Sequence, residues 1–138
     1  MDRERLIRRL ENIEHERHVW RTAGRIISFD RDTAAPAGGA RESTEAAAMA
    51  MLMEQRLMCD PGTGDTLRAV LDTVTDDPVL RRRAELLLRE HQQLTQLPEA
   101  LRRQRADLTG RAYTAWLRAR EANDFAVLAP LLQQVFQV

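Results

Sequence analysis

Three histidines, one cysteine and one glycine-bearing turn are the residues of this chain best equipped to bind or react. His15, Glu16 and His18 stand as His-Glu-Arg-His, a near miss to the zinc-binding His-Glu-x-x-His, whose four-residue spacing lets two imidazoles converge on one ion. At a spacing of three the rings can still share a helix face, and His91 would then have to serve as third ligand. Solvated polar residues on an exposed helix face are the simpler expectation. His91 recurs in register with apolar neighbours, which suits a core imidazole with one ring nitrogen hydrogen-bonded. Cys59 has no recognisable base nearby in sequence and reads as a packing residue. Pro36-Ala37-Gly38-Gly39-Ala40-Arg41 precedes a helix, where free N–H groups and Arg41 could hold an anion. Its glycine spacing fits neither the phosphate-loop nor the dinucleotide fingerprint, so a turn and cap are expected.

The elements that would carry these residues are helices. Leu6, Leu10, Ile13, Trp20, Gly24 and Ile27 recur at steps of three and four, interrupted by Arg17, and predict a first helix ending near Phe29 before a turn-rich stretch. A second is expected over 40–57, with 46–53 apolar at every position and so buried on more than one side; Met49, Met51, Met53 and Met58 read as core filler. Asp60-Pro61-Gly62-Thr63-Gly64-Asp65 reads as a break, after which Leu67, Val70, Leu71 and Val74 form a short third helix. Asp76 or Asp77 caps a fourth, with Pro78 in its first turn and the stripe Leu80, Ala84, Leu87, His91 and Leu94. Arg81, Arg82 and Arg83 read as its solvated face. Pro98 opens a fifth helix striped by Leu101, Leu108, Ala112, Ala115 and Ala119. Asp124 caps a sixth, with Phe125, Leu128, Leu131, Leu132 and Val135 inside. No strand-like alternation competes. The expected fold is all-α, a bundle of about six helices with short loops forming a single domain over 1–138.

Two segments then resemble a known family. Trp116-Leu117-Arg118-Ala119-Arg120-Glu121-Ala122-Asn123-Asp124-Phe125, followed by Leu128, Pro130 and Leu131, is similar to the Trp-x-x-Ala-Arg-x-x-Asn-Asp-Phe stretch of the carboxypeptidase Taq family. Phe29-Asp30-Arg31-Asp32-Thr33-Ala34-Ala35-Pro36, with Gly38, Gly39 and Arg41 after it, resembles that family's Trp-Asp-x-x-Thr-x-Met-Pro segment, departing from it at Phe29 and Ala35. Leu97-Pro98-Glu99 is a third, shorter match in the same order. The resemblance spans nearly the whole chain and corresponds to the N-terminal part of longer family members. It implies an all-helical fold related to zinc metallocarboxypeptidases that remove C-terminal residues from peptides, in which this region walls or lids the substrate groove.

That family's zinc is held by a His-Glu-x-x-His helix and a later glutamate, neither of which is found here, so no catalytic, cofactor-binding or metal-binding residue is carried over. The matched residues Asp30, Thr33, Pro36, Arg41, Trp116, Arg120, Asn123, Asp124, Phe125 and Pro130 read as structural. Asp124 is a helix cap, Asn123 a turn residue, and Trp116 and Phe125 anchors of the corner. The expected function is a non-catalytic helical domain that associates with itself or packs on a partner; the alternative is a fragment or subunit of an active metallocarboxypeptidase with the zinc site elsewhere.

Composition narrows the partners. Twenty-one basic residues, all arginine, balance 21 acidic ones, so no net field favours nucleic acid or an anionic membrane. A lone cysteine and a charged N-terminus without an apolar run lead to the expectation of a cytoplasmic chain with no signal peptide or membrane span. Val135, Phe136 and Val138 end the sequence with apolar side chains and no capping residue, as in a truncated helix whose face is covered by a continuing chain, a second copy or a partner.

Overall fold

The computed structural model describes residues 2–34 and 36–137, except the side chains of Ala37 and Ala40. Ala35 and Val138, which figure in the motif and the terminal apolar run, lie outside the described residues. Among those described, the chain is all α: α1 (Arg3–Thr33), α2 (Ala40–Cys59), α3 (Pro61–Thr73), α4 (Pro78–Gln96), α5 (Glu99–Ala122) and α6 (Ala129–Gln137), with 3₁₀ turns at Ala37–Gly39 and Phe125–Val127. Six helices match the expectation. Where the sequence was read as a single domain, packing divides the chain into two compact units, residues 1–95 and 96–138.

In the first unit, α1 and α2 form an antiparallel hairpin. Gly24 of α1 approaches Ala50 of α2, while Arg17 and Arg21 reach Glu54 further along α2. The core lies at the end where α3 and α4 join, built from Leu6, Leu10, Met58, Leu67, Val70, Val74, Leu80, Ala84 and Leu87. Leu6 and Leu10 come from the apolar stripe of α1, and Leu80, Ala84 and Leu87 from that of α4, each stripe turning its helix toward the others.

Several elements differ from the sequence reading. α1 continues past Phe29 to Thr33, because Asp30, Arg31 and Asp32 do not break a helix, and the Thr33 hydroxyl donates to the Phe29 carbonyl at 2.6 Å. α2 is not buried on several sides. Ala50 and Met58 are enclosed, but Met49 and Met51 are more than half exposed, since one face of α2 packs and the others do not. The segment read as a break opens α3: Asp60 accepts the Thr63 N–H at 3.1 Å and Pro61 sits in the first turn, where its missing N–H costs no bond. Asp77 caps α4 as expected, accepting from Val79 and Leu80 at 3.0 and 2.9 Å.

The second unit is α5 folded against α6. Ala115, Ala119 and Leu128 form its buried centre, with Ala112, Leu131 and Leu132 around it. α5 ends at Asn123, whose left-handed φ of 50° lets Asp124 N–H reach the Ala119 carbonyl at 2.9 Å and Asn123 N–H the Arg120 carbonyl at 3.3 Å. Asparagine adopts this conformation more readily than most side chains.

Candidate functional site

Arg17, the charge that breaks the apolar stripe of α1, is the centre of the most developed polar cluster in the first unit. Its guanidinium meets Glu90 of α4 at 2.5 Å and Glu54 of α2 at 3.3 Å, and Arg21, one turn on, meets Glu54 at 2.5 Å and Glu90 at 3.6 Å. The side chains of Arg17 and Glu54 are each only 17% exposed. Two guanidiniums and two carboxylates thus tie three helices together with no net charge. Each group keeps a partner, as a charge drawn from water requires. Chemically this is a clamp: every carboxylate is engaged by a guanidinium that cannot release a proton.

Sequence reasoning noticed Arg17 only as an interruption and missed the other three. The available signal was an arginine at a core-facing position, which demands a carboxylate on whichever helix packs opposite. The same applies to Arg81 and Arg83, expected on a solvated face. Arg81 donates to the Leu71 and Val74 carbonyls at 2.7 and 3.1 Å, closing the C-terminal end of α3. Arg83 pairs with Glu14 of α1, which strengthens its hold on its proton. Both are half-buried because α4 lies against α1 and α3; Arg82 stays exposed.

The structure does not gather the histidines. His15 and His18 are exposed on α1, and His18 Nε2 lies 3.5 Å from the Thr22 hydroxyl. His91 is buried; its Nδ1, 2.7 Å from the Met58 carbonyl, must carry the hydrogen it donates there, and its Nε2 edge is pressed against Gly64. Among the described residues, no three His, Cys, Asp or Glu side chains converge as a metal site. The described side chains therefore do not fit a zinc ion. Cys59 is a half-buried free thiol at the end of α2.

The motif residues form two groups, one in each unit. At the α1–α2 junction, Asp30 and Thr33 are exposed near the end of α1, the Pro36 carbonyl accepts from Gly39 N–H at 2.8 Å, and Arg41 pairs with Glu45 on its own helix at 2.9 Å. Arg41 is thus turned to Glu45, within the first turns of α2. At the α5–α6 corner, Asp124 accepts the Ala126 N–H at 2.9 Å and so caps the 3₁₀ turn before α6, while Pro130 lies in the first turn of α6. Trp116 and Phe125 do not anchor this corner. They are 42% and 65% exposed, and the small aliphatic cluster around Ala115, Ala119 and Leu128 closes it instead. Trp116 packs beside Tyr113, ring centres 5.8 Å apart, and the Arg120 guanidinium lies 5.7 Å from the Trp116 ring centre.

Beside the same corner runs an open depression of about 350 Å³, lined by Arg111, Thr114, Ala115 and Arg118 of α5, Val127 of the 3₁₀ turn and Leu131 of α6. Two arginines two turns apart edge an apolar floor. Arg111 has a long 3.6 Å contact with Asp107.

Among the described residues, no helix is long and apolar enough to cross a membrane. No curated protein and no solved structure matches the chain. One family model does match, over residues 9–138, and its description is Carboxypeptidase Taq (M32) metallopeptidase. With a match from the first turns of α1 to the end of α6, on an all-helical chain carrying both quoted motifs, the chain belongs to the carboxypeptidase Taq metallopeptidase family.

Proposed function

We propose that this chain is a non-catalytic helical member of its family that acts by packing against another protein, in the first instance a second copy of itself. The observation that carries this reading is the exposed apolar surface. No described side chain of α6 is fully buried, Phe136 is 84% exposed, and Phe29, Phe125 and Ile26 are each more than 60% exposed. Contiguous exposed apolar side chains, as Ile26 and Phe29 are one turn apart on α1, are the kind of surface that association covers. The sequence also lacks His-Glu-x-x-His, which supports a role without hydrolysis.

Light scattering combined with a thermal melt tests the reading. A discrete oligomer with a cooperative melt is expected; a monodisperse monomer that binds no apolar dye would count against it.

The family match favours a second reading, in which the chain walls the substrate groove of an active zinc carboxypeptidase whose metal ligands lie on other polypeptide. An in-frame His-Glu-x-x-His in the coding sequence downstream would decide for it.

A further inference from the structure

α1 carries a second apolar stripe, turned away from the face it packs. Val19, Thr22, Ile26 and Phe29 follow one another at steps of three, four and three, the spacing with which one helix presents a seam to another. With 3.6 residues per turn, this seam lies about 140–220° around α1 from Gly24, and so points away from α2, which Gly24 approaches at Ala50. Val19 is 45% exposed, Ile26 63% and Phe29 72%; Thr22, half-buried beside His18, is the small residue among them.

The charges along its two edges favour one kind of occupant. Arg25 precedes Ile26 on one edge and Asp30 follows Phe29 on the other, five residues on, and both side chains are exposed. When two such seams lie side by side and parallel, a residue on this first edge stands opposite the residue five further along the partner. A second copy therefore sets its Asp30 beside Arg25 and its Arg25 beside Asp30, two opposite-charge pairs generated by one two-fold axis. Antiparallel copies would instead bring Arg25 against Arg25 and Glu16 against Asp30, like charge on like. Toward the N-terminus the same face turns polar, with Asn12 and His15 at the seam positions and Glu11 set to meet Glu16. The contact is thus confined to the stretch from Val19 to Phe29, about 15 Å at 1.5 Å per residue.

We propose that two copies of this chain pair in parallel along α1, Val19, Ile26 and Phe29 of each meeting their own counterparts and Arg25 of each lying beside Asp30 of the other. This rests on the reading that the chain acts by packing on another copy, and it adds the surface and the orientation. Because both copies use the same face, the contact is isologous and association stops at a dimer. So short a seam gives a weak dimer, populated in concentrated protein, and salt weakens it further by screening the charge pairs.

Light scattering over a concentration series, with circular dichroism to confirm folding, tests the pairing on the full chain. The wild type should approach twice the monomer mass and go no further, and Ile26→Asp should leave a monomer. Arg25, Ile26 and Asp30 are all exposed, so none of these substitutions disturbs a core. Arg25→Asp and Asp30→Arg should each weaken the dimer about tenfold, since two like-charge pairs replace two opposite ones. A chain carrying both reversals should regain wild-type affinity, because the pairs reform with their ends exchanged. Growth beyond two chains, dimerisation indifferent to Ile26→Asp, or a double variant no better than the singles would overturn this contact and leave self-association standing. So would an Asp30→Arg change that tightens the dimer, the mark of an antiparallel contact in which position 30 meets Glu16. A wild-type chain that stays monomeric at its highest soluble concentration would overturn both.

Discussion

Gly64 and His91 are fitted together more tightly than any other side chain would allow. A Cβ built on Gly64 would collide with His91 Nε2, and the ring cannot swing away because its Nδ1 is held by the Met58 carbonyl in a buried site. Gly64→Ala should therefore destabilise the fold by about 1–3 kcal/mol, the usual cost of overpacking. Gly24 is the control. Its added Cβ would meet Ala50 at 3.6 Å, an ordinary contact, so Gly24→Ala should be neutral or gain up to about 1 kcal/mol from helix propensity. Chemical denaturation of the two variants checks both signs. At the surface, a hydrogen bond from Arg3 holds the Asp76 carboxyl below its ordinary value. A depressed folded-state value means that this pair contributes fully above the ordinary carboxylate range and is lost as pH falls through the lower one. Arg3→Ala should return the Asp76 midpoint, followed by carboxyl NMR, toward 3.8.

At the scale of helices, the Arg17 cluster determines how α1, α2 and α4 hold together. Glu54 accepts from both arginines and is the more enclosed carboxylate, so Glu54→Gln should cost more than Glu90→Gln. Losing one partner of a fully buried pair costs about 3–5 kcal/mol, and partial exposure here reduces that to about 1–2. Urea unfolding of the two variants ranks them. Much of the helical framework was readable beforehand: the α4 stripe of Leu80, Ala84, Leu87 and His91 is buried as its spacing predicted. Positions that failed to read share a physical cause. Asp60-Pro61 is a helix start that resembles a break when the glycines behind it dominate the reading. Arg17, Arg81 and Arg83 satisfy partners on other helices, information that periodicity along one helix does not contain. The aromatic residues of the α5–α6 motif carry the family resemblance, yet Trp116 and Phe125 lie outside the small core that closes the corner, so motif membership did not reveal burial.

For the molecule as a whole, the two compact units have unequal means of supporting themselves. The first owns a core cluster of nine buried residues drawn from four helices, while the buried cluster of the second has three. A chain of residues 1–95 should accordingly unfold cooperatively on heating, whereas residues 96–138 alone should show no cooperative melt, because so short a chain buries too little apolar surface to offset its conformational entropy. Calorimetry of the two fragments tests this. Within the first unit, the nine-residue core is confined to the end of the α1–α2 hairpin where α3 and α4 join; toward the other end Ala50 is the enclosed apolar residue of α2. Opening energy should therefore fall along the hairpin, so that amides near Ser28 and Ser43 trade their hydrogens for deuterium long before those near Leu10 and Met58, and the chain unzips from its turn toward its core.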